Sequence, residues 1–106
     1  MVSRGEVWWT NLEPTVGVET QKRRPCVVVS PPEVNDNLRI VIVAPLTSGS
    51  RPAVSRVPTR FGNRGGFVLL EQVRAVDRSR LNPLMGSLDA AEMDQVLTVL
   101  RAMFSP

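Results

Sequence analysis

Glu19-Thr20-Gln21-Lys22-Arg23-Arg24-Pro25-Cys26-Val27-Val28-Val29-Ser30 runs from a polar loop through three successive cations and a proline into an apolar stretch. Cys26 to Val29 is short and rich in β-branched residues, the composition of a buried strand. Pro25 fixes its own φ and biases Arg24 towards an extended conformation. Arg24 is therefore expected at the mouth of a strand, with its guanidinium held rather than mobile. A held, planar fork of N–H donors suits an anion such as phosphate. Lys22 and Arg23 read first as a solvated basic turn.

Working outward, Pro31 to Asn37 is a loop, and Leu38 to Leu46 is a second near-continuous apolar strand ended by Thr47-Ser48-Gly49-Ser50. The simplest pairing is an antiparallel hairpin. With Ser30 opposite about Ile40, Arg24 falls opposite about Leu46, and Thr47 and Ser48 come to lie beside it. A guanidinium and two hydroxyls at one end of a sheet make a site for a phosphate oxygen. On the other side, Gly5 to Thr10 reads as a first strand whose adjacent Trp8 and Trp9 must point to opposite faces. One is expected in the core, the other on a subunit interface or against a base.

Residues 49–66 are rich in Gly, Pro and Arg, with Arg51, Arg56, Arg60 and Arg64 around a short strand at Val54–Pro58. They read as a basic lip able to make phosphate contacts. Phe67 to Val76 reads as one further strand with a polar break at Glu71-Gln72. A carboxylate in mid-strand either faces solvent or serves a site. Asp77 to Pro83 is a polar turn, and Met85 to Leu88 a short closing strand. Asp89 is an N-cap with Glu92 three residues on, as in a capping box. Met93, Val96, Leu97, Leu100, Met103 and Phe104 then follow at helical spacing to about Phe104. Several short strands and one C-terminal helix imply a mainly β fold, a small curled sheet or barrel with the helix on it, in a single domain over 1–106.

The chain has 106 residues and a net charge of +3. Residues 1–80 hold twelve cations against seven anions, whereas residues 81–106 hold one against three. A basic body points to a polyanionic partner. No apolar run approaches the ~20 residues of a membrane span, and Met1 to Glu6 has no export core. The single cysteine, Cys26, precludes an intrachain disulfide and fits a reducing, cytoplasmic compartment. The chain has no histidine, which excludes a cysteine-protease dyad and histidine-ligated zinc.

The order Arg4-Gly5-Glu6-Val7-Trp8-Trp9, Asn11-Leu12-Glu13-Pro14, Val16-Gly17-Val18-Glu19, Arg24-Pro25, Ala44-Pro45-Leu46-Thr47 and Leu70-Glu71-Gln72-Val73-Arg74-Ala75-Val76-Asp77 resembles the MazF/PemK/Kid family of toxins from bacterial type II toxin–antitoxin pairs. The resemblance covers nearly the whole chain. It implies an SH3-like small β-barrel of the CcdB/PemK-like kind, working as a homodimer. The implied activity is sequence-specific, metal-independent cleavage of single-stranded RNA (mRNA) that inhibits translation, with no cofactor. Carried over residue by residue, it implies Arg24, Thr47 and Glu19 as catalytic. Ser48, Glu71, Gln72, Arg23, Lys22, Arg51 and Arg56 are the expected substrate-binding residues, with no metal ligand. A cognate antitoxin with an acidic, partly disordered tail is the expected protein partner. Attack by the RNA's own 2′-OH needs a base, stabilisation of the phosphorane charge and a proton for the leaving oxygen. Two other readings stay open: a gyrase-binding toxin of the same fold, and a basic barrel that binds nucleic acid without cutting it.

Overall fold

The computed structural model describes residues 1–14, 16–19 and 22–106. Thr15, Thr20 and Gln21, in the loop expected between the first two strands, lie outside the described residues. The strands are β1 (Glu6–Asn11), β2 (Arg23–Val28), β3 (Ile40–Thr47), β4 (Arg56–Phe61), β5 (Arg64–Leu69), β6 (Arg74–Asp77) and β7 (Leu81–Ser87). The helices are α1 (Pro32–Asn35), inside the expected loop, and α2 (Ala90–Met103). All strand pairs are antiparallel, in the order β4-β5-β3-β2-β1-β7, with β6 also paired to β3. The sheet is mostly β and curls into a half-barrel.

The β2–β3 hairpin forms as the sequence predicts, displaced by one residue. Cys26 faces Pro45 and Val27 faces Ala44, so paired numbers sum to 71 rather than 70, and the ladder ends at Cys26–Pro45, two residues before Arg24 and Thr47. The two apolar runs are continuous because both faces of the sheet are covered. Val7, Val27, Ala44, Leu46, Val68 and Val96 form a cluster on the face that α2 packs against. Cys26, Val28, Val41, Val43 and Val76 form a second cluster on the other face.

The expected strand Phe67–Val76 is two strands. One edge of β3 pairs with β6 along Ile40–Val43 and with β5 at Leu46–Thr47. A 3-10 turn at Leu70–Gln72 carries the chain from one to the other, so Glu71 is not in mid-strand. Pro45 falls in the gap between the two pairings, where that edge offers no ladder bond for a proline to break. The basic lip is a real hairpin, β4–β5, longer than the expected Val54–Pro58 strand. Its two-residue connection is Gly62-Asn63, with Gly62 at φ 61°, the residue type such turns favour.

Asp89 caps α2, its carboxylate accepting the Glu92 N–H at 2.8 Å. The reciprocal half of the capping box is absent. The Glu92 carboxylate instead accepts the Thr59 hydroxyl at 2.9 Å and the Arg60 N–H at 2.8 Å, which ties the helix to β4. No helix among the described residues is long and apolar enough to cross a membrane.

Candidate active site

Two cavities open on either side of the end of β3. The first, about 490 Å³, lies between the two edge strands of the half-barrel. It is lined by Trp9 of β1, Arg24 and Pro25 of β2, Leu46 to Ser48, Thr59 and Phe61 of β4, the hairpin tip 62–66, and Met85 of β7. The second, about 310 Å³, is lined by Leu12, Glu19, Pro45, Glu71, Gln72, Val73 and Arg74. Arg24, Thr47 and Ser48 are therefore together at the first, and Glu19, Glu71 and Gln72 together at the second. Pro45 and Leu46, adjacent in sequence, form a wall of each.

Strand alternation puts Arg24 on the face of Cys26 and Thr47 on the face of Pro45. Because Cys26 pairs with Pro45, Arg24 and Thr47 share that face at the open end of the hairpin. Arg24 is exposed and Thr47 half-buried. The Thr47 hydroxyl is held over the turn by the Gly49 N–H at 3.4 Å. Gly66 of β5 allows this arrangement. A Cβ built there would lie 2.0 Å from the Thr47 carbonyl oxygen and 3.0 Å from the Ser48 Cα, whereas one at Gly65 would meet only the Arg60 Nη2, at 3.7 Å.

Glu19 accepts the Val16 N–H through its own carboxylate, which folds the loop tip on itself. Glu71 is engaged by its neighbours. Its carboxylate accepts the Ser55 hydroxyl at 2.7 Å and Arg56 Nε at 2.8 Å, and pairs with Arg56 Nη2 at 2.7 Å. Burial pushes its pKa up, but the hydrogen bonds from Arg56 and Ser55 outweigh this and hold it below the usual range. Arg56 also donates to the Arg51 carbonyl at 2.9 Å. Glu71 and Arg56, expected separately to bind substrate, thus form one clasp that holds the 51–56 segment. Arg51 and Arg23 are exposed, Arg23 opposite Asn11 on β1. Lys22 is exposed in the left-handed region at φ 63°, and its carbonyl accepts the Leu12 N–H.

Beneath the site, burial pushes the Cys26 thiol up to about 12, against the opposing pull of a Thr10 hydrogen bond and the Arg74 and Arg24 guanidinia. Among the described residues no group of three or more His, Cys, Asp or Glu side chains gathers to hold a metal ion. Of the two tryptophans, one of which the sequence places in the core and the other on an interface or against a base, Trp9 lines the first cavity, and sequence reading missed Thr59, Phe61 and Met85 as cavity residues, the tight packing at Gly66, and Arg74. The Gly62-Asn63 dipeptide between two alternating runs was the signal for the hairpin that brings Phe61 and Gly66 in.

The sequence pattern of a family described as the PemK-like, MazF-like toxin of type II toxin–antitoxin systems matches residues 3–104. The chain is 35% identical to endoribonuclease EndoA of Bacillus subtilis over 91% of its own length and 88% of the relative's. It is 31% identical to endoribonuclease MazF of Staphylococcus epidermidis, covering 91% and 85%. The crystal structure of MazF from Deinococcus radiodurans superposes with a TM-score of 0.83 at 27% identity, covering 96% of this chain and 94% of that one. A mycobacterial endoribonuclease in complex with its cognate antitoxin shares the fold, with a TM-score of 0.81 at 20% identity, covering 96% and 93%.

Proposed function

The chain belongs to the PemK-like, MazF-like toxin family of type II toxin–antitoxin systems, and from that premise we propose that it is a sequence-specific endoribonuclease that cuts single-stranded RNA without a metal and thereby stops translation. The observation that supports this best is that Arg24 of β2 and Thr47 of β3, at the open end of one hairpin, line the same cavity. In this reading the RNA lies over the end of β3. Arg24 stabilises charge on the phosphorane and assists the departing 5′-oxygen, which leaves as 5′-OH on taking a proton from water, and the Thr47 hydroxyl donates to a non-bridging oxygen. Glu19, on the other side of Pro45, takes the 2′-OH proton. Ser48, Gln72, Arg23, Lys22 and Arg51 contact the strand. Glu71 and Arg56 act as the clasp that holds the 51–56 segment beside it. The substrate supplies its own nucleophile, so none of these roles requires a metal.

Exposed Leu84 and Met85 on edge strand β7, and Phe104 after α2, supply apolar surface for a second copy of the chain, which makes the working unit a homodimer. The cognate antitoxin, through an acidic segment ordered on binding, occupies the RNA surface.

Incubation with a natural mRNA in EDTA is expected to give discrete fragments ending in 2′,3′-cyclic phosphate and 5′-OH. Fragments ending in 3′-OH, or cleavage that EDTA abolishes and magnesium restores, would overturn the mechanism. Binding without any product would favour the non-cutting barrel, and capture of gyrase without RNA cleavage would favour the gyrase poison.

A further inference from the structure

Arg74 is a half-buried cation that uses little of its hydrogen-bonding capacity among the described residues. A guanidinium carries five N–H donors. Among the described residues, Arg74 places one of them, from Nη1 to the Leu12 carbonyl at 3.1 Å. Among the described residues the ion pairs are Arg39 with Asp77 and Arg56 with Glu71, and Arg74 is in neither. The two carboxylates that share its cavity are engaged elsewhere, Glu71 by Arg56 and Ser55 and Glu19 by the Val16 N–H. Arg74 lines a cavity whose wall, Pro45, is two residues from Thr47 on β3. Arg74 sits opposite Val43 on β3, and Val43 faces Val28 on β2, so Arg74 and Arg24 flank β3 from its two sides. Both act on the one buried thiol between them, Cys26. The strands that carry them are two strand spacings apart, about 10 Å, and Arg24 lies four residues along β2 from the level of Arg74, about 13 Å, a separation that suits two different phosphates of one strand.

We propose that Arg74 is a second phosphate-binding residue of this site, holding a non-scissile phosphate of the strand whose scissile phosphate lies at Arg24. The proposal rests on the reading of the site as an RNA-cutting one. The alternative is that Arg74 serves only to brace the loop after β1. Arg80 provides a matched comparison, because it donates to the Asn11 and Glu13 carbonyls on either side of Leu12 and lines neither cavity.

The probe is a mixed-sequence, fully 2′-O-methylated single strand, which offers phosphates and no internal nucleophile. Its Kd is measured between 50 and 200 mM salt for the wild type, Arg74→Gln, Arg74→Lys and Arg80→Gln, with circular dichroism on each. One phosphate contact to a single strand contributes about 0.7 to the slope of log K against log salt. Arg74→Gln is expected to lower the slope by that amount and weaken binding most at low salt. Arg74→Lys is expected to keep the wild-type slope, and so is Arg80→Gln. A wild-type slope in Arg74→Gln, an equal loss in Arg80→Gln, or loss of slope in folded Arg74→Lys would overturn the proposal. Should Arg74→Gln not fold, Arg74→Lys is compared with the wild type on probes that each carry one uncharged methylphosphonate: the affinity lost with the fork is expected to vanish at one non-scissile position, and a loss equal on every probe would overturn the proposal. In parallel, wild-type cleavage of an unmodified mRNA tests the underlying reading. Cleavage with an unchanged slope sinks only the role of Arg74. Binding without cleavage sinks the nuclease and leaves the slopes to judge Arg74.

Discussion

Arg23 and Arg24 are neighbours on β2, and the pleat sends them to opposite faces. Arg24 shares its face with Cys26 and, across the hairpin, with Thr47, while Arg23 shares its face with Pro25 and Val27. Single-turnover cleavage should therefore separate them. Arg24→Ala is expected to lose roughly 100- to 1000-fold in rate, the usual effect of removing a transition-state donor. Arg24→Lys should recover little, because an ammonium is a point charge where a fork holds two oxygens. Arg23→Ala should lose only a salt-sensitive part of binding. A dead Arg23→Ala, or an Arg24→Lys near the wild-type rate, would reassign the arginine. Cys26 gives a second prediction. With the thiol buried and its pKa near 12, thiol reagents at neutral pH should leave the folded protein unmodified and label it fully once it unfolds. The sign on stability follows: an unfolded chain releases the thiol proton near its ordinary value, so this group favours the fold fully below that pH. Its contribution is lost as pH rises towards 12.

The β4–β5 hairpin couples packing to the site. Gly66 leaves room for the Thr47 peptide, so Gly66→Ala must push Thr47 and Ser48 aside, and a displacement near 1 Å in such a site costs on the order of 100-fold in rate. Gly65→Ala has open space and should cut normally. Equal rates for the two variants would show that Thr47 tolerates the shift. The Glu71–Arg56 clasp predicts a pH effect on the same hairpin. Because the Glu71 pKa is lowered in the fold, its contribution is present above the ordinary carboxylate value and is lost as pH falls through the lowered one. Hydrogen exchange in 51–56 should accelerate on acidification, and Glu71→Gln should abolish that dependence. These elements differ in how plainly they are written in the chain. β2, β3 and α2 are legible because apolar runs and a capped 3.6-residue pattern are local. β4 is harder to read: it is an edge strand that buries Val57 and Thr59 and exposes Pro58 and Arg60, a weak alternation amid arginines. The break at Glu71-Gln72 is visible, but its cause, a strand that changes partner around Pro45, is a tertiary fact. Arg24 and Thr47 at one cavity follow from a single hairpin. The separation of Glu19 into a second cavity and the packing of Gly66 on Thr47 depend on strands far apart in sequence.

At the scale of the molecule, the half-barrel leaves an open seam between edge strands β4 and β7. Phe61 closes over Gly86 there, at 3.2 Å from where a Cβ would stand. The exposed Leu84 and Met85 beside that seam predict dimerisation in light scattering, and Leu84→Glu with Met85→Glu should shift the population towards the monomer while keeping the circular dichroism of the fold. A stable wild-type monomer at micromolar concentration would reject the homodimer. The two tryptophans have one more consequence. The chain has no tyrosine, so its emission under excitation selective for indole belongs to Trp8 and Trp9 alone. Trp8 donates to the Glu6 carboxylate at 3.1 Å and packs on the second core cluster, whereas Trp9 lines the cavity with Arg24. In Trp8→Phe the remaining indole becomes a built-in optical gauge of occupancy: a strand or an acidic segment settling over the rim alters its brightness and colour, and the chain reports without a dye when its own site is filled.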